Sequence, residues 1–571
     1  MNQTEDFRKN APAPLAPRSI NLPTPSETVL PNGLKVVVIE DRRLPIVSFR
    51  LGFRSGSAFD PQEMPGLGGF VASMLTEGTK TRTSKQIAEE VEKIGGSLGA
   101  NTGADNTIIA ASALSNYSTN ILSLMADVTL NPSFPEDELA LNIQNTLQNL
   151  EFQRSDPSFL AHERAAAVIY GEHPYSRISA TPESVINMTQ DKLVAYHRER
   201  FVPNNAVFIV VGDVDREELL QNIEQLFGDW KQASVQTGDF PAPPTRNERA
   251  VYVVDRPGSA QSNIILANIA LDRHNPDYFP VLVMNQVLGG GASSRLFMNL
   301  REEKGYTYGA YSSFDMRRMT GTFEATAEVR SDVTGASLEE FFTELEKIRS
   351  ESVPAEELQD IKNYLTGVFP LKLETQEGLT NQIVAVQMYD LPPDYLATYR
   401  EKINEVTAED VQRVAREYIK PDKMAVIIVG DASAIKEQIT PYAEKIEFFD
   451  ASGNRKEINK TMNTTSGNAN GAEGVWNLTL SSPQGDLPVT LTLTNSGGNL
   501  GGSLSTPIGD GSITGGTISG NEVNASASLD FQGQAVNITI NGTSDGNTIN
   551  GNVSTPLMGG MTLPFTGTKA A

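Results

Sequence analysis

Apolar residues recur with two different periods along the first 450 residues of the chain. Short runs that are apolar, or that alternate between apolar and polar residues, predict β-strands at 34–40, 47–54 and 107–115. Longer stretches with apolar residues three or four positions apart predict amphipathic helices at 83–94, 135–154 and 158–170. This mixture of elements predicts an α+β fold, in which helices pack on one face of a mixed β-sheet.

The same landmarks occur twice in this region, which indicates an internal duplication. In each half, a proline turn is followed by a buried strand that ends in Gly-Asp. Each landmark of the first copy returns 218 residues later, as in Pro203 and Pro421, Gly212 and Gly430, and Asp213 and Asp431. One spacing shared by several landmarks favours duplication over chance, so we predict two homologous lobes, at 26–236 and 237–450.

The pattern changes near residue 450. Residues 451–474 are rich in Asn, Gly, Ser and Thr and lack periodic apolar positions, which predicts a linker. Beyond it, alternating segments separated by Gly, Asn and Asp turns predict about eight short strands over 475–571, in an antiparallel barrel or sandwich. The proline-rich residues 1–25 predict a flexible leader.

Charge and hydropathy narrow the range of partners and compartments. The chain has 46 Lys and Arg against 70 Asp and Glu, a net charge of −24, so we expect neither nucleic acid nor anionic lipid as a partner. No run of about 18 apolar residues occurs, so we expect no membrane span. The N-terminus lacks the apolar core of a signal peptide. We expect a cytoplasmic protein if Met1 is the native start, and a periplasmic or secreted one if a signal peptide was removed.

Metal ligands are scarce in this sequence. It contains no cysteine, which excludes disulfides and thiolate sites, and its histidines are His162, His173, His197 and His274. No two of these histidines have the spacing of zinc ligands on one helix face. Glu163 directly follows His162, and Glu199 lies two residues after His197, and at either spacing the two side chains point to different helix faces. We therefore expect no metal or other cofactor in this chain.

Four longer motifs carry a family resemblance. They are LPNGLKVVV at 30–38, PGLGGFVASMLTEGT at 65–79, LGGGASSRLF at 288–297 and LREEKGYTY at 300–308. Together they resemble the pitrilysin/insulinase family of zinc metallopeptidases, including the processing-peptidase type, over roughly residues 26–450. The resemblance implies two related lobes around a chamber that receives peptide substrates.

The zinc motif of that family is degenerate here. The resemblance implies an inverted motif, H-x-x-E-H, whose histidines share one helix face and bind zinc while the Glu activates a bound water. This chain has Gly69, Ala72 and Ser73 at those positions, and none of them binds zinc strongly or accepts a proton from water. The third ligand of the family is a Glu farther along, and Glu151 is the only acid in the matching stretch, 145–151.

The second half matches the family at two residues that the resemblance assigns to the substrate carbonyl. The resemblance implies an Arg and a Tyr, seven residues apart, that bind the carbonyl and stabilise the oxyanion, and Arg301 and Tyr308 match them. Nearby candidates for substrate binding are Gly289, Gly290, Gly291, Ser293 and Ser294. The glycines could also cradle a phosphate, but no Lys-Ser/Thr follows them, and a tight turn beside a peptide-binding strand explains them better.

These observations favour one function and leave two others open. The first is a non-catalytic subunit of a heterodimeric zinc peptidase, which supplies Arg301 and Tyr308 to a homologous catalytic subunit that holds zinc in an intact motif. The second is a catalytically inert scaffold that binds peptides or serves assembly. The third places the activity in the β domain, as a carbohydrate or lipid binder, although Trp476 there is better explained as a core residue.

Overall fold

The computed structural model describes residues 23–456, except 236, 237 and 239, and residues 473–570, except 483–484, 497–498, 508, 520–521, 532–533 and 555–561. The chain divides into two compact units, Met1–Ile458 and Asn459–Ala571. The leader was predicted at 1–25 and the linker at 451–474. Residues 1–22 and 457–472 of these predictions lie outside the described residues.

The first lobe is built on a six-stranded mixed sheet in the order β1-β2-β6-β3-β5-β4. Its strands are β1 (Ser26–Val29), β2 (Lys35–Glu40), β3 (Ile46–Phe53), β4 (Ser97–Thr102), β5 (Thr107–Leu114) and β6 (Ala206–Gly212). Its helices are α1 (Leu67–Met74), α2 (Ser84–Lys93), α3 (Ser118–Leu130), α4 (Glu136–Ser155), α5 (Pro157–Tyr170), α6 (Pro182–Ile186), α7 (Gln190–Arg200) and α8 (Arg216–Phe227). The strands β2 and β6 are parallel, and the other neighbours are antiparallel.

The second lobe repeats this plan in the order β13-β12-β7-β11-β8-β10-β9. Its strands are β7 (Ala250–Asp255), β8 (Gln261–Ala270), β9 (Thr307–Met316), β10 (Gly321–Arg330), β11 (Ala425–Gly430), β12 (Lys445–Phe449) and β13 (Arg455–Lys456). Its helices are α9 (Tyr278–Leu288), α10 (Arg295–Phe297), α11 (Thr334–Ser350), α12 (Ala355–Glu374), α13 (Gln376–Met388), α14 (Tyr395–Glu405), α15 (Ala408–Tyr418) and α16 (Ala432–Ile439).

The two sheets share a core of five strands in the same order, β2-β6-β3-β5-β4 and β7-β11-β8-β10-β9, which confirms the predicted α+β fold with two related lobes. In both cores the first two strands are parallel, β2 with β6 and β7 with β11, and the last strand, β4 or β9, is an edge strand paired as a hairpin. The sheets differ beyond this core, because β1 is antiparallel to β2 whereas β12 is parallel to β7. The helices α7 and α15 both begin after a threonine, Thr189 or Thr407, whose side chain accepts a hydrogen bond from a backbone N–H of the first turn.

Each sheet also receives a helix from the opposite lobe. One face of each sheet packs on helices of its own lobe, as predicted. The second face of the second sheet is covered by α5, through Leu160 and Ile169, although α5 belongs to the first lobe. The second face of the first sheet is covered in the same way by α13, through Ile383 and Val386. The two lobes therefore share their hydrophobic cores.

The C-terminal unit is a closed barrel of consecutive antiparallel strands. These are β14 (Gly474–Ser482), β15 (Gly485–Ser496), β16 (Asn499–Thr506), β17 (Gly509–Ser519), β18 (Glu522–Phe531), β19 (Gln534–Ser544), β20 (Thr548–Ser554) and β21 (Thr562–Lys569). Pairing of β14 with β21 closes the barrel, and Trp476, Leu491 and Ile540 fill its core. This confirms the barrel prediction over the sandwich. In the described part of the chain, no helix is long and apolar enough to cross a bilayer.

Candidate functional site

The helix α1 carries Gly69, Ala72 and Ser73, the positions that the sequence predicts for a degenerate zinc motif, and a buried aspartate binds its first turn. Asp60 accepts hydrogen bonds from the backbone N–H groups of Gly66 and Gly68, at 2.8 and 2.9 Å. Gly66 needs its glycine because its φ is +92°. A Cβ on Gly68 would lie 2.8 Å from the Tyr196 hydroxyl, so this glycine allows a close approach of α7 to α1.

Burial changes the acid–base chemistry under this helix. Desolvation raises the pKa of Asp60 to about 6, against the opposing effect of its two backbone donors. Burial also raises the pKa of the Tyr196 phenol well above its usual value, so it stays protonated. These groups lie beneath α1 and not on its exposed face, so they stabilise the helix and offer no acid to a substrate.

The exposed face of α1 is uncharged and has no catalytic base. Gly69 and Ser73, one turn apart, are exposed on the same face, whereas Ala72 is buried. Ser73 accepts a hydrogen bond from the Asn142 amide of α4 at 3.0 Å, and the Thr146 hydroxyl donates to Asn142 at 3.2 Å. A hydroxyl, an amide and a second hydroxyl therefore stand together, and they do not fit a zinc ion, which takes imidazole, thiolate or carboxylate ligands.

The sequence matched a stretch of α4 to the third zinc ligand of the family, and Thr146 of the hydrogen-bonded group at Ser73 lies in that stretch. That stretch was 145–151, with Glu151 as its only acid, whereas the side chain that contacts Ser73 is Asn142. Glu151 lies more than two turns beyond Asn142, near the C-terminal end of α4, and it is exposed. Within the described residues, no group of three His, Asp or Glu side chains is placed to hold a metal ion.

The histidines are separate from one another and serve local packing. His197 bonds the Thr129 carbonyl at 2.8 Å and stacks on Phe201, and burial lowers its pKa to about 4. His173 is buried against Tyr175, and desolvation lowers its pKa as well. His162 is more open and lies 3.8 Å from Glu324. His274 contacts the Tyr389 carbonyl at 2.6 Å.

An open sheet edge lies next to α1. The strand β4 is the last strand of the first sheet, and the Thr102 hydroxyl donates to the Gly68 carbonyl of α1 at 3.1 Å. An edge strand offers N–H and C=O groups to which an extended peptide can pair. A peptide added to β4 would run beside Gly69 and Ser73.

Arg301 and Tyr308 lie at the corresponding edge of the second lobe. Arg301 is exposed in the turn of helix that follows α10, where it pairs with Glu302 at 3.0 Å and lies 5.0 Å from the Phe297 ring centroid. Tyr308 is 90% exposed on β9, the last strand of the second sheet. Among the contacts of the described residues, none joins Arg301 to Tyr308. Both side chains are exposed to solvent, and their predicted role stays a prediction.

The glycines between α9 and β9 allow close packing of this region. A Cβ on Gly289 would lie 2.2 Å from the Ser312 nitrogen, and one on Gly290 would lie 2.6 Å from the Gln286 side chain. The Ser294 hydroxyl is buried and donates to the Gly291 carbonyl at 2.6 Å. These contacts set the path of the chain, and of the predicted substrate-binding residues only Gly290 and Ser293 are exposed.

Comparison with known families and structures agrees with this architecture. Residues 35–183 match the family model described as insulinase, peptidase family M16, and residues 187–365 match the model described as the peptidase M16 inactive domain. Together the two models span more than half of the chain. The chain belongs to the insulinase family. It is a peptidase-like member of that family.

Individual M16 relatives extend over nearly the whole two-lobed unit. The chain is 26% identical over 412 residues to an uncharacterized zinc protease of Mycobacterium leprae, covering 71% of this chain and 92% of that protein. It is 25% identical over 401 residues to an uncharacterized zinc protease of Bacillus subtilis, covering 70% and 96%. A crystal structure of the peptidase M16 inactive domain from Pseudomonas fluorescens is 28% identical with a TM-score of 0.67, covering 72% of this chain and 98% of that one.

The sequence analysis did not single out Asp60, Asn142 or Thr146, although the sequence position of each gives a reason to consider it. Asp60 stands six residues before Gly66, where an acid can accept from a helix N-terminus. Asn142 and Thr146 are one turn apart on α4 and so share a face. Nothing in the sequence showed that this face meets α1, because the contact depends on how α4 docks.

Proposed function

We propose that this chain is the non-catalytic subunit of a heterodimeric zinc peptidase. It presents Arg301 and Tyr308 to a peptide carbonyl, and a homologous subunit with an intact H-x-x-E-H motif supplies the zinc and the nucleophile. The observation that carries the proposal is the asymmetry between the two edges. The edge beside α1 has Ser73 and Asn142 where a zinc peptidase needs metal ligands and a general base. The β9 edge, in contrast, keeps the exposed hydrogen-bond donors Arg301 and Tyr308.

The exposed donors suit this role. Guanidinium and phenol groups donate hydrogen bonds, and donors aimed at a developing oxyanion stabilise the transition state. The ion pair of Arg301 with Glu302 is solvent-exposed, and pairs of this kind contribute at most about 1 kcal/mol. A carbonyl or oxyanion can therefore replace Glu302 as the partner of Arg301 at little cost. Tyr308, which is almost fully exposed, exchanges water for the carbonyl and gives up no hydrogen bond to another described residue.

The isolated chain should not hydrolyse peptides. Arg301 and Tyr308 polarise a carbonyl but do not activate water, and the α1 face offers no residue that would take a proton from water. Ser73 has no histidine partner to activate it, since its hydrogen-bond contacts are the Asn142 amide and the Phe70 carbonyl.

The decisive experiment compares the chain alone with the chain combined with a homologous subunit that has the intact motif. Zinc content is measured by native mass spectrometry and peptide hydrolysis by a fluorogenic assay. We expect the chain alone to be metal-free and inactive, and the pair to bind about one zinc per heterodimer. Arg301→Ala and Tyr308→Phe should each lower kcat of the pair about 10²-fold, as removal of an oxyanion donor does.

Matched controls separate this effect from general damage. Tyr364→Phe on α12 removes a hydroxyl from another exposed tyrosine, which is 53% exposed, and Arg455→Ala on β13 removes another exposed arginine. Neither should change kcat. Hydrolysis by the chain alone, with zinc bound, would contradict the proposal.

A peptide-binding scaffold is the second candidate, and the open β4 edge favours it. A peptide paired to β4 would be held beside Gly69 and Ser73 without being cut. An active pair whose kcat is indifferent to Arg301→Ala and Tyr308→Phe would select this function over the first.

A further inference from the structure

A cavity of about 600 Å³ lies in the second lobe, away from Arg301, Tyr308 and α1. It opens between the loop that follows β8, the turn after α13, and the helix α14. Its volume falls in the range of about 300–1,000 Å³ that is typical of small-molecule sites. Its walls combine aromatic rings with two cations, and these two features together suggest what it binds.

Three aromatic side chains form a continuous wall of the cavity. The ring centroids of Tyr278 and Phe279 lie 5.3 Å apart, and those of Phe279 and Tyr395 lie 5.8 Å apart. Such a wall accepts a flat apolar group by stacked or edge-to-face contact. Burial raises the pKa of the Tyr395 phenol, so its hydroxyl remains a donor at neutral pH.

Two cations stand over this wall. The Arg273 guanidinium carbon lies 3.6 Å from the Tyr278 ring centroid and 5.1 Å from that of Tyr395. The Lys402 ammonium nitrogen lies 5.3 Å from the Phe279 ring centroid. The Arg273 guanidinium also donates a hydrogen bond to the Tyr395 hydroxyl, and a guanidinium has five N–H donors, so others remain for a carboxylate. In the described part of the chain, neither Arg273 nor Lys402 has a carboxylate within 4 Å, although the chain has an excess of acids.

The acids that line the cavity are mostly engaged by other groups. Asp390 pairs with Arg54 at 2.6 Å and with Arg318 at 3.2 Å. Asp410 accepts from Thr407 at the start of α15 and pairs with Arg413. Glu405 is the third acid of the lining. The cavity therefore offers two cations to a ligand against one acid, inside a molecule whose net charge is −24.

We propose that this cavity binds an aromatic carboxylate, either free or as the C-terminal residue of a peptide. The ring lies against Tyr278, Phe279 and Tyr395, and the carboxylate accepts hydrogen bonds from Arg273 and Lys402. A carboxylate and an adjacent ring match the two cations and the aromatic wall at once. The inference goes beyond the proposed function and does not depend on it, because it uses neither Arg301 nor Tyr308.

Isothermal titration calorimetry on the full chain tests the proposal, with N-acetylphenylalanine as the probe and its C-terminal amide as the matched neutral compound. We expect the acid to bind about tenfold more tightly than the amide, since a charge-assisted hydrogen bond contributes about that factor. Lys402→Gln and Arg273→Gln should each weaken binding of the acid about tenfold and leave the amide nearly unchanged. Lys423→Gln, at an exposed lysine outside the lining, is the control for loss of a charge.

The variants also keep the test independent of folding. Arg273 packs on two rings, so Arg273→Gln could fail to fold; Lys402→Gln and the comparison of acid with amide then decide. If a peptide that ends in phenylalanine binds more tightly than N-acetylphenylalanine, the ligand is a peptide C-terminus. If N-acetylphenylalanine binds more tightly than the peptide, the ligand is a free aromatic acid. Equal affinity for acid and amide, no binding at 10 mM probe (about the weakest affinity of interest), or no effect of Lys402→Gln would overturn the proposal.

Discussion

The side chain of Asp60 is a buried carboxylate whose ionisation is opposed by the protein around it. Its pKa rises from 3.8 to about 6 because it is desolvated, so the folded state holds this proton at a pH where the unfolded state has lost it. Stability therefore falls as pH rises from about 4 to about 6, by up to about 3 kcal/mol for a shift of this size.

Asp60→Asn should remove that pH dependence. The variant loses one of the two backbone hydrogen bonds, at a cost of about 1 kcal/mol. The free energy of unfolding of the wild type should therefore exceed that of Asp60→Asn most near pH 4. This difference should shrink, or change sign, by pH 7. Urea unfolding followed by circular dichroism at 222 nm measures it, because the described helices lie in the two-lobed unit.

The same series with Asp229→Asn, at an exposed aspartate, controls for the change of charge alone. A difference between wild type and Asp60→Asn that stays constant from pH 4 to pH 7 would contradict the raised pKa.

For single residues, the sequence predicted which side chains share a helix face but not which side chains they contact. The spacing of four between Gly69 and Ser73 placed them on one helix face, as the structure shows. The sequence matched 145–151 to the third zinc ligand of the family but named no partner for Ser73, and the contact with Asn142 depends on how α4 packs against α1 and not on sequence distance. The roles of Arg301 and Tyr308 stay predictions until the variants are measured.

The helices α5 and α13 link the lobes at the scale of elements. Leu160 on α5 is 2% exposed and packs against the second sheet, although it precedes that sheet by some ninety residues in the chain. Leu160→Ala should lower the free energy of unfolding by about 2–5 kcal/mol, since it leaves a cavity in the shared core. Leu141→Ala on α4, where leucine is 52% exposed, should change it by no more than about 0.5 kcal/mol.

Both variants are compared by urea unfolding at 222 nm. Equal effects of Leu160→Ala and Leu141→Ala would show that α5 does not contribute to a cooperative core.

A second prediction about elements concerns the stability of the C-terminal barrel. Trp476 is fully buried in the barrel core, whereas its neighbour Val475 points outward and is 39% exposed. Trp476→Ala should destabilise the barrel by about 3–5 kcal/mol, and Val475→Ala should be close to neutral. Hydrogen exchange of peptides from β15 and β19 measures this, because exchange accelerates as the barrel opens more often. Unchanged exchange in Trp476→Ala would contradict the buried position of Trp476.

Elements were easier to predict than their partners. The apolar spacing of 158–170 predicted the helix found at Pro157–Tyr170, but it could not show that the helix covers the sheet of the other lobe. The alternation of apolar and polar residues over 475–571 predicted strands that could form either a barrel or a sandwich. Only the pairing of β14 with β21, at opposite ends of the unit, distinguishes the barrel.

Charge acts at the scale of the whole molecule. A net charge of −24 attracts cationic peptides over distances near the Debye length, about 10 Å at 0.1 M salt. We expect a labelled basic peptide to associate with the assembled pair faster than an acidic peptide of equal length at about 20 mM salt, with the difference nearly gone at about 500 mM. Stopped-flow fluorescence measures both rates, with a neutral peptide as the reference. Equal rates at low salt would show that the net charge does not guide the substrate.

The exchange of α5 and α13 between the lobes makes each half an incomplete protein. If the chain were divided after Lys231, the N-terminal fragment would keep its sheet but lose the helix that carries Ile383, and the C-terminal fragment would lose the helix that carries Leu160. Each fragment would expose one apolar sheet face to water and gain a reason to bind the other. Each half therefore completes the core of the other, and we expect the two fragments to fold together and neither to fold alone.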